Sequence, residues 1–111
     1  MDLQIDNSRP IALASVSGEL TGSDAEQFTE RLYDLATGDG ATLAVDLSAL
    51  DLIDSKGLAA LINLTTRARL SGGNVVLVHP SAFVEGIFSV TRLNNWFDIC
   101  SDIDEAVSRN G

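Results

Sequence analysis

Residues 42–64, TLAVDLSALDLIDSKGLAALINL, restrict the possible folds more than any other part of the chain. The stretch opens with an apolar run that lacks clean polar alternation and has its core positions at Leu43, Val45 and Leu47. Such a run is typical of a central strand that is covered on both faces. We therefore expect a buried strand here, followed by a loop that Asp46 and Ser48 open. The apolar residues of that loop are expected to pack under the fold, at Leu50, Leu52 and Ile53.

The second half of the stretch predicts a helix that begins within residues 54–57, DSKG. Asp54 and Ser55 each carry a short side-chain oxygen that can accept a hydrogen bond from a free N–H of the first turn. The buried face of this helix follows helical spacing, through Leu58, Leu61, Ile62, Thr65 and Ala68. The opposite face carries Lys56, Asn63 and Arg67. A serine hydroxyl and a carboxylate are thus expected together at a helix N-terminus.

The rest of the chain alternates between strand and helix patterns. Strands are predicted at residues 3–5, 11–17, 74–78 and 96–100, and a turn at residues 18–20. The other helices are predicted after Ser23, which forms a capping box with Glu26, and after Ser81 and Ser101. The apolar face of the third helix is predicted as Phe83, Val84, Ile87 and Phe88.

This β-β-α-β-α-β-α-β-α order predicts an α/β fold of a single domain over residues 1–111. Alternation of strand and helix requires parallel neighbours joined by crossovers, so only the N-terminal strand should run the other way. The sheet is therefore expected to be mixed and mostly parallel.

Composition narrows the classes of function. The 111 residues suit one domain with a real core. Because the net charge is −9, nucleic acid and anionic membrane surfaces are not expected as direct partners. No apolar run approaches the length that spans a bilayer, which argues against membrane insertion. Cys100 is the single cysteine, and its isolation fits a reducing compartment, the cytoplasm.

Several residues have side chains that could act in catalysis or bind a metal ion. A serine hydrolase needs a histidine base, but no G-x-S-x-G motif surrounds Ser55, and the one histidine is His79. One histidine and one cysteine give no metal-ligand spacing. The carboxylates Asp46, Asp51 and Asp54 suit a magnesium site or an acid–base pair, although loop and capping chemistry explains Asp51 better. We predict no catalytic residue, metal or cofactor; nucleotide binding at the helix N-terminus stays an alternative.

The segment VDLSALDLIDSKGLAAL resembles the signature of the STAS family. This domain is shared by bacterial anti-sigma factor antagonists and the cytoplasmic tails of sulfate transporters. The matching residues are Asp46, Ser48, Asp54, Ser55, Gly57 and Leu58. The resemblance implies a single STAS-type domain, in which a partner kinase of the antagonists phosphorylates the serine after the aspartate, here Ser55. Two positions depart from the family pattern: Lys56 replaces a small or hydroxylic residue, and Thr21 replaces an aspartate.

The resemblance implies a binding protein and not an enzyme. An unphosphorylated antagonist would bind an anti-sigma factor of the serine-kinase type, and phosphorylation of Ser55 would release it until a PP2C-type phosphatase reset the switch. The expected partner-binding residues are Thr21, Asp54, Ser55, Lys56, Gly57, Asn63 and Arg67. The alternative is a STAS subunit of a lipid or anion transporter that binds the transporter's ATPase. Modification of Ser55 would distinguish the two.

Overall fold

The computed structural model describes residues 1–8 and 10–110. The chain begins with two strands and then alternates between helix and strand. The strands of this part of the chain are β1 (Asp2–Asp6), β2 (Ala12–Leu20), β3 (Thr42–Ile53), β4 (Asn74–Val78) and β5 (Asp98–Cys100). The helices are α1 (Asp24–Ala36), α2 (Ser55–Leu70), α3 (Ala82–Thr91) and α4 (Ile103–Asn110), with a 3-10 turn at Leu93–Asn95. The predicted α/β class and element order are confirmed.

The strands form one mixed sheet in the order β1-β2-β3-β4-β5. β1 is antiparallel to β2, and the other neighbours are parallel, as the alternating pattern predicted. Helices α1, α2 and α3 cover one face, where Phe28, Leu61 and Phe88 pack on inward strand residues. Helix α4 covers part of the other face through Ala106. Because the strands from β2 onward are parallel, their carboxyl ends meet at one edge of the sheet, where α2 and α3 begin.

The main difference from the prediction lies in β3, which does not end in a loop at Ser48 but continues to Ile53. Two β-bulges each give β3 one residue more than β2. At the first bulge, Ser15 and Ser17 pair with Asp46 and Ala49. A second shift follows between Gly18 and Glu19 of β2. The predicted turn at residues 18–20 is therefore wrong, since these residues continue β2 beside the extended β3.

The bulges also explain the burial pattern of β3. Leu47, Leu50 and Ile53 are buried at intervals of three residues, because each bulge adds one residue to the usual period of two. Leu50 and Ile53 pack in the core as expected. Leu52 does not, since 39% of its surface stays exposed.

Helix termini differ from the prediction in two places. Ser23 has helical backbone angles and its side chain makes no capping hydrogen bond, so the predicted capping box with Glu26 is wrong. The backbone oxygen of Thr21 accepts the N–H of Asp24 instead. In α3, Val84 and Phe88 are buried as predicted, whereas Phe83 is 45% exposed and lies outside the core.

Candidate functional site

Four of the predicted partner-binding residues, Asp54, Ser55, Lys56 and Gly57, lie where β3 ends and α2 begins. The end of β2 lies beside them, because Leu20 pairs with Ile53 in the parallel register. The turn at Thr21 and Gly22 therefore approaches the first turn of α2. We call these two segments, residues 21–22 and 54–57, the switch loop.

Asp54 joins the two segments of the switch loop. It is the N-cap of α2, and its Oδ1 accepts the N–H of Gly57 at 2.8 Å. Its Oδ2 accepts the N–H of Gly22 at 3.0 Å, across 32 residues of sequence. The N–H of Asp54 also donates to the backbone oxygen of Leu20 at 3.4 Å. One carboxylate thus caps the helix and fixes the turn that follows β2.

These contacts change the acidity of the carboxyl group. The N–H of Gly57 holds the pKa of Asp54 below its usual value, and the N–H of Gly22 acts in the same direction. Both hydrogen bonds favour the charged carboxylate, which also gains from the positive end of the helix dipole. Asp54 is therefore a carboxylate at neutral pH.

Ser55 is the first residue of α2 and is exposed. The sequence allowed either Asp54 or Ser55 as the cap, and the structure gives that role to Asp54. Within the described residues the Ser55 hydroxyl has no hydrogen-bond partner, so it is not needed to hold the loop. An exposed hydroxyl at a helix N-terminus is accessible to a modifying enzyme and sits where added negative charge is favourable.

Gly57 allows α2 to approach β2 closely. It is buried, and a Cβ on it would overlap the backbone oxygen of Leu20 and come within 2.8 Å of Cγ1 of Ile53. The glycine of the motif thus has a packing reason, because any side chain would push the helix away from the turn. Leu58, beside it, is partly buried against the core.

The outer face of α2 carries the predicted polar residues. Lys56, Asn63 and Arg67 are all exposed, and Nε of Arg67 donates to Oδ1 of Asn63 at 3.2 Å. Lys56 forms no salt bridge with a carboxylate of the described residues, although its charge acts on Asp54. The structure thus places Lys56 in the switch loop and Asn63 and Arg67 further along the same helix.

The predicted residues outside the switch loop have other surroundings. Oδ1 of Asp46 accepts the N–H of Ser48 at 2.9 Å, within the first bulge of β3. His79 is exposed and has a left-handed φ of 48°. Cys100 is buried, and this burial raises the pKa of its thiol. In the described part of the chain no three His, Cys, Asp or Glu side chains are grouped to hold a metal ion.

Sequence reasoning missed Gly22, which supplies the backbone N–H that Asp54 binds. The prediction had named Thr21, whose own role is to accept the N–H of Asp24 at 2.8 Å. The signal in the sequence was the glycine itself, because glycine readily adopts a positive φ in a turn. Gly22 has a φ of 45°. None of the described helices is long and apolar enough to cross a membrane.

Comparison with known proteins shows the family to which the chain belongs. The model of the STAS domain family matches residues 2–106. A Thermotoga maritima protein, named a candidate anti-sigma factor antagonist, is 31% identical over 90 residues, which are 80% of this chain and 80% of that protein. The crystal structure of a candidate antagonist from Thermotoga maritima covers 98% of this chain and 92% of its own, with 27% identity and a TM-score of 0.82.

The anti-sigma factor antagonist SpoIIAA shares the fold. Its unphosphorylated structure has a TM-score of 0.76 and 21% identity, with 97% of this chain and 95% of SpoIIAA covered. The structure of its phosphorylated form, described as a Bacillus cell fate determinant, has a TM-score of 0.71 at the same identity and covers 97% of this chain and 98% of that one. With Asp54, Ser55 and Gly57 of the signature together at one edge of the sheet, this chain belongs to the STAS domain family, among the anti-sigma factor antagonists.

Proposed function

We propose that this protein is an anti-sigma factor antagonist whose binding to an anti-sigma factor is switched off by phosphorylation of Ser55. The anti-sigma factor would itself be the serine kinase, and a PP2C-type phosphatase would return the protein to its binding form. In this scheme the protein is a kinase substrate and not an enzyme, and it acts in the cytoplasm.

The observation that carries the proposal is the exposure of Ser55 beside a carboxylate that fixes the loop. A kinase must bring a hydroxyl into line with the γ-phosphoryl group, which requires a serine that is accessible and held in place. Ser55 is exposed, and Asp54 fixes the backbone on both sides of it through the N–H groups of Gly57 and Gly22. The antagonist name of the Thermotoga maritima relative and the two phosphorylation states solved for SpoIIAA support the same scheme.

The surface around Ser55 is suited to a protein partner. We propose that the partner contacts the switch loop and the outer face of α2, through Thr21, Asp54, Ser55, Lys56, Gly57, Asn63 and Arg67. Gly57 is buried, so its part is to set the distance between α2 and the Thr21 turn. Lys56 has no salt bridge within the described residues, which leaves its ammonium available for an acidic group of the partner.

The test is to recover the protein from its own cells and map phosphate by mass spectrometry. We expect one phosphate, on Ser55, and none after Ser55→Ala. The matched control is Ser48→Ala, which removes another exposed serine of the signature and should leave the modification intact. Phosphate on Ser48 or Thr65, or none on Ser55 in any growth condition, would contradict the proposal.

A binding assay tests the second half of the scheme. Each anti-sigma factor of the serine-kinase type from the same organism would be titrated with the unphosphorylated and the phosphorylated protein. We expect one of them to bind the unphosphorylated form and to lose affinity for the phosphorylated form. If every such factor failed to bind either form, the antagonist role would be excluded.

A further inference from the structure

A polar cavity on the sheet has no role in the proposed switch. It has a volume of about 250 Å³ and is lined on its polar side by Gln4, Ser15, Ser17, Asp46 and Ser48. Gln4 pairs with Ser15, and Ser15 with Asp46, so these side chains form a row across β1, β2 and β3. We call this cavity the sheet pocket. Helix α4 packs on β3, β4 and β5, and the pocket lies on the β1 and β2 side of it.

The first bulge of β3 shapes the sheet pocket. Between Asp46 and Ala49, β3 has one residue more than β2, which bends the strand and opens a concavity on this face. Oδ1 of Asp46 accepts the N–H of Ser48 within the bulge at 2.9 Å. Oδ2 has no hydrogen-bond partner among the described residues. The pocket therefore contains a half-buried carboxylate with a free oxygen, surrounded by hydroxyl groups.

The chemistry of this lining selects a cation. Among the described residues no lysine or arginine lines the pocket, and the carboxylate would repel an anion. A carboxylate with hydroxyl oxygens beside it offers several acceptors in a small space, which suits the five N–H donors of a guanidinium group. An ammonium group has three donors and lacks the planar fork that binds a carboxylate through two hydrogen bonds.

The size of the pocket suits a single side chain. Sites for small molecules usually measure roughly 300–1,000 Å³, above the volume found here. Arginine is also enriched at the interfaces of proteins. We infer that the sheet pocket binds an arginine side chain of a partner protein. This inference is independent of phosphorylation at Ser55.

The pocket lies close enough to the switch loop to share a partner with it. Thr21 lies four positions after Ser17 along the chain, which corresponds to about 13 Å at the usual rise of a strand. The charge of the protein favours a basic partner, since the sequence has 16 acidic residues and only 7 lysines and arginines. A partner that contacts the switch loop would therefore also be able to place one of its own arginine side chains on Asp46.

The experiment uses the ¹⁵N-labelled full chain and the capped tripeptide acetyl-Gly-Arg-Gly-amide, followed by amide chemical shifts. We expect saturable shifts at Ser15, Ser17 and Ser48. The matched probe, acetyl-Gly-citrulline-Gly-amide, replaces the guanidinium by an uncharged urea and should bind about tenfold more weakly. Free L-arginine should bind no better than the tripeptide; tighter binding would show that the pocket serves a small molecule.

Two variants of the pocket and one control variant complete the test. Asp46→Asn keeps an oxygen for the N–H of Ser48 and removes only the charge, so we expect a folded protein and about a tenfold loss of affinity. Ser15→Lys, opposite Asp46 in the register, should fill the pocket with its own cation and abolish binding. Asp51→Asn removes an exposed carboxylate of the same strand and should change nothing. Unchanged binding in Asp46→Asn, an equal loss in Asp51→Asn, or no saturable shift with the wild type would overturn the inference.

Discussion

At the scale of single residues, the carboxylate of Asp54 and the missing side chain of Gly57 build the candidate site together. Asp54 binds the N–H groups of Gly57 and Gly22, and Gly57 lets those groups come within reach. Neither residue touches a reacting group in this arrangement. Their common effect is to fix the backbone that presents Ser55.

Asp54→Asn removes the charge of this contact and leaves one oxygen acceptor for the two N–H groups. Because the folded-state pKa of Asp54 is lowered, its ionisation stabilises the fold above the unfolded-state pKa of about 3.9. That stabilisation is lost as the pH falls through the folded-state pKa. We therefore expect the wild type to be more stable than Asp54→Asn at pH 7, with the difference vanishing in acid. Chemical unfolding between pH 7 and pH 2 measures it, and a difference that grew in acid would refute the assignment.

Gly57→Ala tests the close approach of α2 to β2. The added methyl group would overlap the Leu20 oxygen, so the helix must move, at a cost of about 1–3 kcal/mol in the free energy of unfolding. The matched control is Gly86→Ala, in the interior of α3, where a Cβ meets open space. There the change should stabilise by about 0.5–1 kcal/mol, because alanine is the better helix former. Urea unfolding of both variants gives the comparison, and equal effects of the two changes would contradict the packing role.

At the scale of elements, the first turn of α2 would decide how the proposed phosphorylation of Ser55 acts. A phosphate on Ser55 would carry about −1.5 to −2 charges at a helix N-terminus, where the dipole and free N–H groups stabilise it. The adjacent carboxylate of Asp54 opposes this gain, and Lys56 supports it. The domain should thus remain folded, and the loss of function must arise at the interface with the partner.

We predict that phospho-Ser55 protein keeps its helical circular dichroism and a melting temperature close to that of the unmodified protein. Like unit charges about 5 Å apart cost roughly 3 kcal/mol at an effective dielectric of about 20, which is roughly a hundredfold in affinity. A kinase-type partner holds ATP phosphates near its substrate serine, so we expect at least this loss. Ser55→Asp should lose less, because it adds less charge. Melting of the domain, or an unchanged dissociation constant, would disprove this mechanism.

Lys56 belongs to the same turn, where the helix dipole disfavours a cation by about 0.3–1 kcal/mol. Lys56→Ala should therefore stabilise the fold slightly and, if the ammonium meets an acidic group, weaken binding to the anti-sigma factor. Titrations at low and high salt measure both the affinity and its salt dependence, which should decrease in the variant. Arg69→Ala is a suitable control, because Arg69 lies at the other end of α2 and donates to the backbone oxygen of Trp96. Equal affinity of Lys56→Ala and wild type at low salt would exclude a pairing role.

At the scale of the whole molecule, the net charge and the order of the strands both bear on how a partner would approach. The charge of −9 produces a field that favours encounter with a basic surface, and salt screens this field. The parallel order of β2, β3 and β4 brings the starts of α2 and α3 to one edge of the sheet. The proposed partner surface therefore lies on a domain whose overall charge is strongly negative.

We expect the rate of association with the anti-sigma factor to fall as salt is raised, and the rate of dissociation to change less. Stopped-flow mixing at a series of salt concentrations separates the two rates. The matched variant Asp51→Asn, which removes one exposed charge away from the switch loop's own hydrogen bonds, should reduce the association rate only slightly. An association rate independent of salt would show that the net charge has no steering role.

The sequence by itself determined those features of this protein that depend on residues close together in the chain. Neighbouring residues encode the apolar run of β3, the strand Asn74–Val78, the start of α2 within residues 54–57 and the polar face of that helix, and the structure agrees with them. These features depend on periodicity and capping, which act within a few residues.

Only the tertiary structure decided the features that depend on contacts between distant residues. The extension of β3 to Ile53 requires two bulges against β2, and bulges break the period of two from which a strand is recognised. The hydrogen bond from Gly22 to Asp54 spans 32 residues, and no local pattern encodes it. The sheet pocket likewise exists because Gln4, Ser15 and Asp46 fall in one register on three strands. Register is set by the packing of the whole sheet, so these contacts become visible only when the strands are assembled.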